Sequence, residues 1–540
     1  MLVLLIPALL VNLGIVPLYV EEPRRATVAL EMIFRGNWLV PTINGEFYYL
    51  KPPFFNWILA TVYQLSGSHS EFVTRIPTVV SLILFGLVIF WTGKKYVSLT
   101  FGALSSFLFI TAAGNLFFNA LLAEIDIFYS LVTYTSLISL FHFYQRKKYF
   151  LLFIVLYFLG AIGLLTKGLP SLVFTGLSLF AFFLVNKDLK RLFTWPHLAG
   201  ISLFLLITGG YFLAYSRYGN VIRYLLSLSV ESGKRLSGDT FWDYLQHMFL
   251  YPLDTLMNLL PASLLIIFSI RKSFLKDIRG NTFMKFALLM LVVHFPVYWL
   301  PPGGRQRYII MLYPFIIQLF TYFFLAYFNK EPFKFKIFSG IISGATALGA
   351  IACLAPLFVA SLPSSPALWT LCIASFVLLA SILVFQIKKP VHSIISMLFV
   401  IIVIRLVFNF TVLPVRATEG AAPLNKQAAS EISRIVKDRE VCILQPTYLP
   451  MQTSFYFEIE RGEILPVCSK AEPGRFYIVE KYLLQDYSFR REINTLQINP
   501  LHPFSDPFSR DNKETLSGYE YKTHLEFRLQ KRYYILLLPQ

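Results

Sequence analysis

Glu21-Glu22-Pro23-Arg24-Arg25-Ala26 lies between a first apolar run over 2–20 and a polar loop that ends in Lys51-Pro52-Pro53. Two carboxylates, two guanidiniums and an ammonium thus fall within about thirty residues at a membrane face, where charge needs water or a partner. Guanidinium groups grip phosphate bidentately and an ammonium meets it as a point charge, so the stretch is a candidate reaction centre for a substrate carrying phosphate.

The composition around that stretch fixes the fold class. The 540 residues are 56% hydrophobic, 17% aromatic and 14% charged, more apolar surface than a water-soluble fold can hide. The chain reads as a polytopic α-helical membrane protein. A bilayer crossing needs about twenty apolar residues. Runs of that kind lie at 2–20, 75–93, 99–121, 127–144, 149–166, 169–186, 196–215, 249–270, 283–300, 308–328, 337–360, 366–387 and 392–414, thirteen expected spans. Basic clusters then recur every second loop: Lys94-Lys95, Arg146 to Lys148, Lys187 to Arg191, Arg271 to Arg279, Lys330 to Lys336 and Lys388-Lys389.

Cytoplasmic loops carry the excess of Lys and Arg, so one register accounts for every cluster and for the net charge of +18 without nucleic acid. It puts the N-terminus inside, and the first loop 21–74, the 216–248 loop, the 301–307 loop and the tail outside. Met1 enters the first run with no basic n-region and no small-residue cleavage site, which reads as a retained span rather than a removed signal peptide. Outside the cytoplasm nucleotide-activated sugars and ATP are absent, so an enzyme facing that way must take its activated donor from the membrane.

Within the first loop, Val28, Leu30, Met32 and Ile33 recur at helical spacing over 27–34, and Gly36-Asn37 stops the pattern. Asn44-Gly45 is a turn signal, and 54–65 reads as an aromatic-rich helix lying along the interface, with Trp38, Tyr48, Tyr49 and Trp57 at headgroup depth. Two domains are expected: a membrane domain over 1–414 and an extracytoplasmic α/β domain over 415–540. In the latter 426–436 is helical by periodicity, and 440–444, 476–479 and 533–538 read as strands. Cys353 and Cys372 sit in apolar runs, and a disulfide is open to Cys442 and Cys468 in the tail. Arg405, inside the last span, requires a carboxylate partner or a lipid phosphate.

The first-loop residues, with Glu31-Met32, Gly36-Asn37-Trp38, Pro41, Asn44-Gly45 and Lys51-Pro52-Pro53-Phe54, resemble the first outer loop of bacterial C-type glycosyltransferases, a group that includes lipid A aminoarabinose transferases and relatives of the protein O-mannosyltransferases. Leu165-Thr166-Lys167-Gly168 with Pro170, Val230-Glu231 with Arg235, Leu260-Pro261, and Arg305, Arg307-Tyr308 and Tyr313-Pro314 are similar to further motifs of that family. The motifs reach to about residue 330; beyond it the likeness is one of architecture.

The resemblance implies a polyprenyl-phosphate-linked sugar as donor and inverting transfer to a glycolipid or protein acceptor, by a monomer in the bacterial cytoplasmic membrane. It puts the catalytic carboxylate at Glu21, where the family has Asp. Glu22, Arg24, Lys51, Asp126, Lys167, Glu231, Arg235, Arg305, Arg307 and Tyr308 are its implied substrate-binding residues. Where aminoarabinose transferases have residues that look like zinc contacts this chain has Leu50 and Ser232, so no obligatory metal or cofactor is expected. Two other readings stand beside this one. A flippase for a lipid-linked saccharide would need related halves with broken spans, and no internal repeat is visible. A non-catalytic membrane protein would leave the dense polar first loop without a use.

Overall fold

The computed structural model describes residues 2–233, 240–358, 365–470, 472, 475–480, 497–500 and 533–537. The chain is a mainly helical, multi-pass membrane protein. Among the described residues nine helices are long and apolar enough to cross a bilayer, and two bent pairs bring the number to eleven if each pair is one span. The bends fall between Leu99–Ile110 and Ala113–Leu121, at 43°, and between Phe241–Asn258 and Ala262–Ser269, at 106°. Leu260-Pro261 lies in the second break, where a proline cannot continue the ladder. The run at 169–186 is the shorter helix Pro170–Val185.

The first run is helical only over Leu2–Leu10, and the chain then turns through 11–16. Ending a helix there leaves carbonyls without their i+4 donors. Arg405 Nε and Asn409 Nδ2 both reach the Ala8 carbonyl, at 3.1 and 2.9 Å. A fully buried arginine in the last candidate span, Pro390–Thr418, thus meets the negative end of the first helix.

Two compact units are formed. One comprises 1–11, 49–54 and 75–411; the other comprises 12–48, 55–74 and 412–540, so that most of the first loop groups with the tail. The sequence periodicity explains this. Helix Glu22–Arg35 turns Ala26 and Leu30, one turn apart, into a core with Ala429, Ile432, Ile443, Phe455, Phe457 and Ile478 of the tail.

In this second unit β1 (Thr42–Ile43) and β2 (Glu46–Phe47) form a hairpin, with Thr42 opposite Phe47. Asn44 and Gly45, both at positive φ, make its two-residue turn. A five-stranded sheet has the order β4-β3-β5-β7-β6, from β3 (Val441–Leu444), β4 (Val467–Cys468), β5 (Phe476–Glu480), β6 (Gln497–Pro500) and β7 (Tyr533–Leu537). Strand β3 runs parallel to β4 and β5, while β7 is antiparallel to β5 and β6. Helices Ala421–Val436 and Met451–Arg461 pack in the same core. Cys442 and Cys468, on neighbouring strands, are joined as a disulfide. The hairpin turn also meets the sheet's edge, because Asn44 O accepts from Val467 N at 3.2 Å and Asn44 Nδ2 donates to Leu465 O at 3.0 Å.

Candidate active site

The charged motif is the first turn of a helix. The helix starts at Glu22, ahead of the 27–34 periodicity, because Pro23 has the fixed φ of a first-turn residue and the carboxylates of Glu21 and Glu22 suit a positive helix end. It stops at Gly36, whose φ of 63° is available to glycine at little cost. Glu21 occupies the N-cap position and pairs with Arg24; the Arg25 guanidinium lies 3.8 Å from the same oxygen. Arg24 and Glu21 side chains are 25% and 21% exposed, so both reach solvent. Arg25 and Glu22 are buried. Arg25 lies 5.7 Å from the Tyr48 ring centroid, and its carbonyl accepts from Asn56 Nδ2 at 2.8 Å. Glu22 accepts from Tyr19 N at 3.1 Å, holding the bend that leads into the helix.

Helix Phe54–Ser66 supports this end of the second unit through that Asn56 bond and through Trp57, whose indole N–H donates to Trp38 O at 2.6 Å. Lys51 belongs to the other unit. Its carbonyl accepts from Tyr224 Oη at 2.9 Å, and Tyr224 packs edge-on to Tyr49 at 5.7 Å. Arg223 lies over Tyr49 at 5.2 Å. Tyr224 and Arg223, on helix Val221–Gly233, are residues that sequence reasoning passed over. The signal was the four-residue spacing of Tyr224 and Leu228, the buried positions of that short helix.

The first unit gathers a second charged group from span ends. Lys167 Nζ donates to Asp126 Oδ1 at 2.5 Å and lies 4.8 Å from each of the Tyr129 and Tyr308 rings. Arg307 pairs with Glu124 at 2.9 Å and faces the Tyr308 ring at 5.7 Å. Asp126 sits in the first turn of helix Ile125–Gln145 and Lys167 in the last turn of Tyr149–Lys167, so each charge complements its own helix dipole. Gly168, at φ 85°, then reverses the chain before Pro170 opens the next helix. Neighbouring antiparallel spans therefore bring both charges to one end.

Arg305 contributes its carbonyl, which accepts from Tyr251 Oη at 3.3 Å, and Gln306 beside it bonds Thr255 and Tyr251 O. Glu231 lies on helix Val221–Gly233, and Arg235 lies outside the described residues. Leu50 offers no donor atom to a metal, and the Ser232 hydroxyl donates to Leu228 O at 2.8 Å. Among the described residues no three His, Cys, Asp or Glu side chains converge as a metal-binding group.

The fold is shared with a protein of known structure. Along its whole length the chain superposes on the crystal structure of ArnT from Cupriavidus metallidurans bound to undecaprenyl phosphate, with a TM-score of 0.70 over 98% of that chain and 16% identity. The fold is that of ArnT. Residues 50–211 match the dolichyl-phosphate-mannose-protein mannosyltransferase family, the part of this fold that runs from Leu50-Lys51 through the Asp126 and Lys167 helices. An uncharacterized protein of Aquifex aeolicus is 27% identical over 56% of this chain and 61% of its own length. An undecaprenyl phosphate-alpha-4-amino-4-deoxy-L-arabinose arabinosyl transferase of Proteus mirabilis is 32% identical over 28% of this chain and 29% of its own. The chain thus spans less than two thirds of either of these relatives.

Proposed function

We propose that this protein is an inverting C-type glycosyltransferase that moves a sugar from a polyprenyl phosphate to a glycolipid or protein acceptor on the outer face of a bacterial cytoplasmic membrane. The observation that carries the reading is a solvent-reaching carboxylate, Glu21, held between two guanidiniums at a helix N-terminus, in a chain whose whole length follows the ArnT fold. For a hydroxyl acceptor, Glu21 takes the proton as the oxygen attacks C1 of the sugar. The bond from C1 to the lipid-phosphate oxygen breaks, and its electron pair leaves with polyprenyl phosphate. For a phosphate acceptor no proton need move, and Glu21 orients the nucleophile.

The roles of the remaining residues follow from chemistry. Arg24, whose Nε is buried without a hydrogen-bond partner among the described residues, has a donor left for phosphate. Lys51 supplies a point charge, and Arg235, Arg305 and Arg307 supply guanidiniums where negative charge grows on the leaving group. Tyr308 offers a hydroxyl. Asp126 and Lys167 hold each other as a fixed pair in their own unit, Glu22 orients the charged first turn, and Glu231 is assigned to substrate binding. The lipid-linked donor is substrate, and no metal or other cofactor is assigned a step.

Thirteen crossings, with the bent pairs, the short helix and the N-terminal helix included, put the N-terminus inside and the tail outside. The disulfide of Cys442 and Cys468 supports that sidedness, because such bonds persist in oxidising compartments. Alkylation before and after reduction of protein taken from cells checks it: the expected result is two thiols that react only after reduction. Function is checked by reconstitution with radiolabelled polyprenyl-phosphate sugars, chosen from the lipids that accumulate in a deletion strain. Release of the sugar from the lipid is expected; lipid crossing the bilayer with its sugar bond intact would favour a flippase instead.

A further inference from the structure

Sugar transfer as drawn above leaves two buried carboxylates without a task. Glu31 and Glu458 each have 0% exposure. Both belong to the unit formed by 12–48, 55–74 and 412–540, Glu31 on helix Glu22–Arg35 and Glu458 on Met451–Arg461. Their side chains lie within hydrogen-bonding reach of each other. One oxygen of each is held by a backbone amide: Gly45 N donates to Glu31 Oε2 at 3.3 Å and Leu465 N to Glu458 Oε1 at 3.2 Å. The remaining oxygens, Glu31 Oε1 and Glu458 Oε2, are buried, and the Thr42 hydroxyl is the further side-chain donor facing Glu31.

Two ionised carboxylates are acceptors only, and two such charges cannot face each other in a dry core unless a proton lies between them. The charged group that faces both is Arg35, which also donates to Gly45 O at 2.8 Å. The Thr42 side chain and the Asn44 and Gly45 amides complete the surroundings of Glu31. Other charges on the packed helices are engaged elsewhere: Lys426 on Glu71, Arg461 on Glu463, and Glu460 on the Ser430 hydroxyl. Burial is the largest influence on both carboxyls and raises them above their ordinary range; the charge of Glu31 raises Glu458 further, and Arg35 opposes the rise.

We propose that Glu31 and Glu458 share one proton, and that the shared proton pins to the tail the helix that carries Glu21. They are then positioning residues for the transfer reaction, a role that rests on the function proposed above. Glu31 lies about 15 Å along the helix from Glu21, so what happens at one end is carried rigidly to the other. Loss of the proton leaves two like charges in an apolar site, and separating the two helices is the relief open to them. The sign follows from linkage. A carboxyl raised in the folded state binds more protons than the unfolded chain does, so stability declines as pH rises from the ordinary carboxylate range, about 4.3, toward the pair's own midpoint.

The test uses the full chain in nanodiscs, with transfer kinetics and the thermal midpoint measured from about pH 6 to about pH 9 across the range where a raised pair would titrate. Wild type is expected to lose Tm progressively as pH rises to the pair's midpoint and to level off above it, and to lose kcat by about tenfold per pH unit past that midpoint, with little change in donor KM. Glu458→Gln and Glu31→Gln each supply a permanent amide donor and a single charge, so both are expected to hold Tm and kcat across the range. Alkaline limbs that persist unchanged in both glutamine variants would overturn the proposal. If wild type transfers no sugar, the functional reading falls by itself, and the Tm limb with its loss in the variants still decides the pair.

Discussion

Two groups of ion pairs in this protein each join a carboxylate to a cation and differ in their access to water. The Glu21 and Arg24 side chains are 21% and 25% exposed, while Asp126 and Lys167 are 8% and 2% exposed. A partly solvated pair gains little from its own attraction, so either ion can leave its partner for a substrate at small cost. A desolvated pair cannot, because each ion has given up its hydration and depends on the other. The contrast separates charge that is available for chemistry from charge that forms a fixed frame, a distinction that residue type alone does not make.

The largest expected effect lies in the exposed group and concerns rate. Glu21→Gln keeps the size and polarity of the side chain and removes the base, so kcat for a hydroxyl acceptor should fall about a hundred- to ten-thousandfold with the thermal midpoint unchanged. Single-turnover kinetics in nanodiscs measure it, and retained activity would remove Glu21 from the chemistry. In the buried group the large effect is on stability. Lys167→Met strands Asp126 as an uncompensated charge, which costs about 3–5 kcal/mol for pairs of this kind. The double change Lys167→Met with Asp126→Asn should recover most of that loss. Thermal unfolding of the three variants decides it, and equal midpoints for the single and double variants would sink the idea of a mutually dependent pair.

Much of this was legible in the chain, for a physical reason in each case. Apolar runs and alternate basic loops report membrane helices because a bilayer leaves few alternatives. Asn44-Gly45 gave its turn, since both residues tolerate positive φ, and both adopt it. The start of the first-loop helix was missed because its first turn is charged, and apolar periodicity is silent where Pro23 and the helix dipole do the work. The pairing of Asp126 with Lys167 was not foreseen although each was singled out, since helix register decides which span ends meet. Least legible was the shared core of Ala26 and Leu30 with the tail, and with it the meeting of Glu31 and Glu458. Those partners lie about four hundred residues apart or more, and local periodicity shows that a helix has an apolar face without naming what covers it.

The smallest expected change in stability sharpens the comparison furthest. Arg24→Lys preserves the charge beside Glu21 and the i,i+3 spacing on the helix, in a pair that reaches water. Stability should therefore move by about 0.5 kcal/mol or less, against several kcal/mol for the buried lysine. The binding effect has a different origin. Lysine lacks the planar fork that takes two oxygens of a phosphate at once, so donor KM should rise while the thermal midpoint stays in place. Measuring both quantities on one preparation separates the two roles of the residue. A loss of stability as large as that of Lys167→Met would mean that the Glu21 group is also a closed structural pair, and the distinction drawn from exposure would fail.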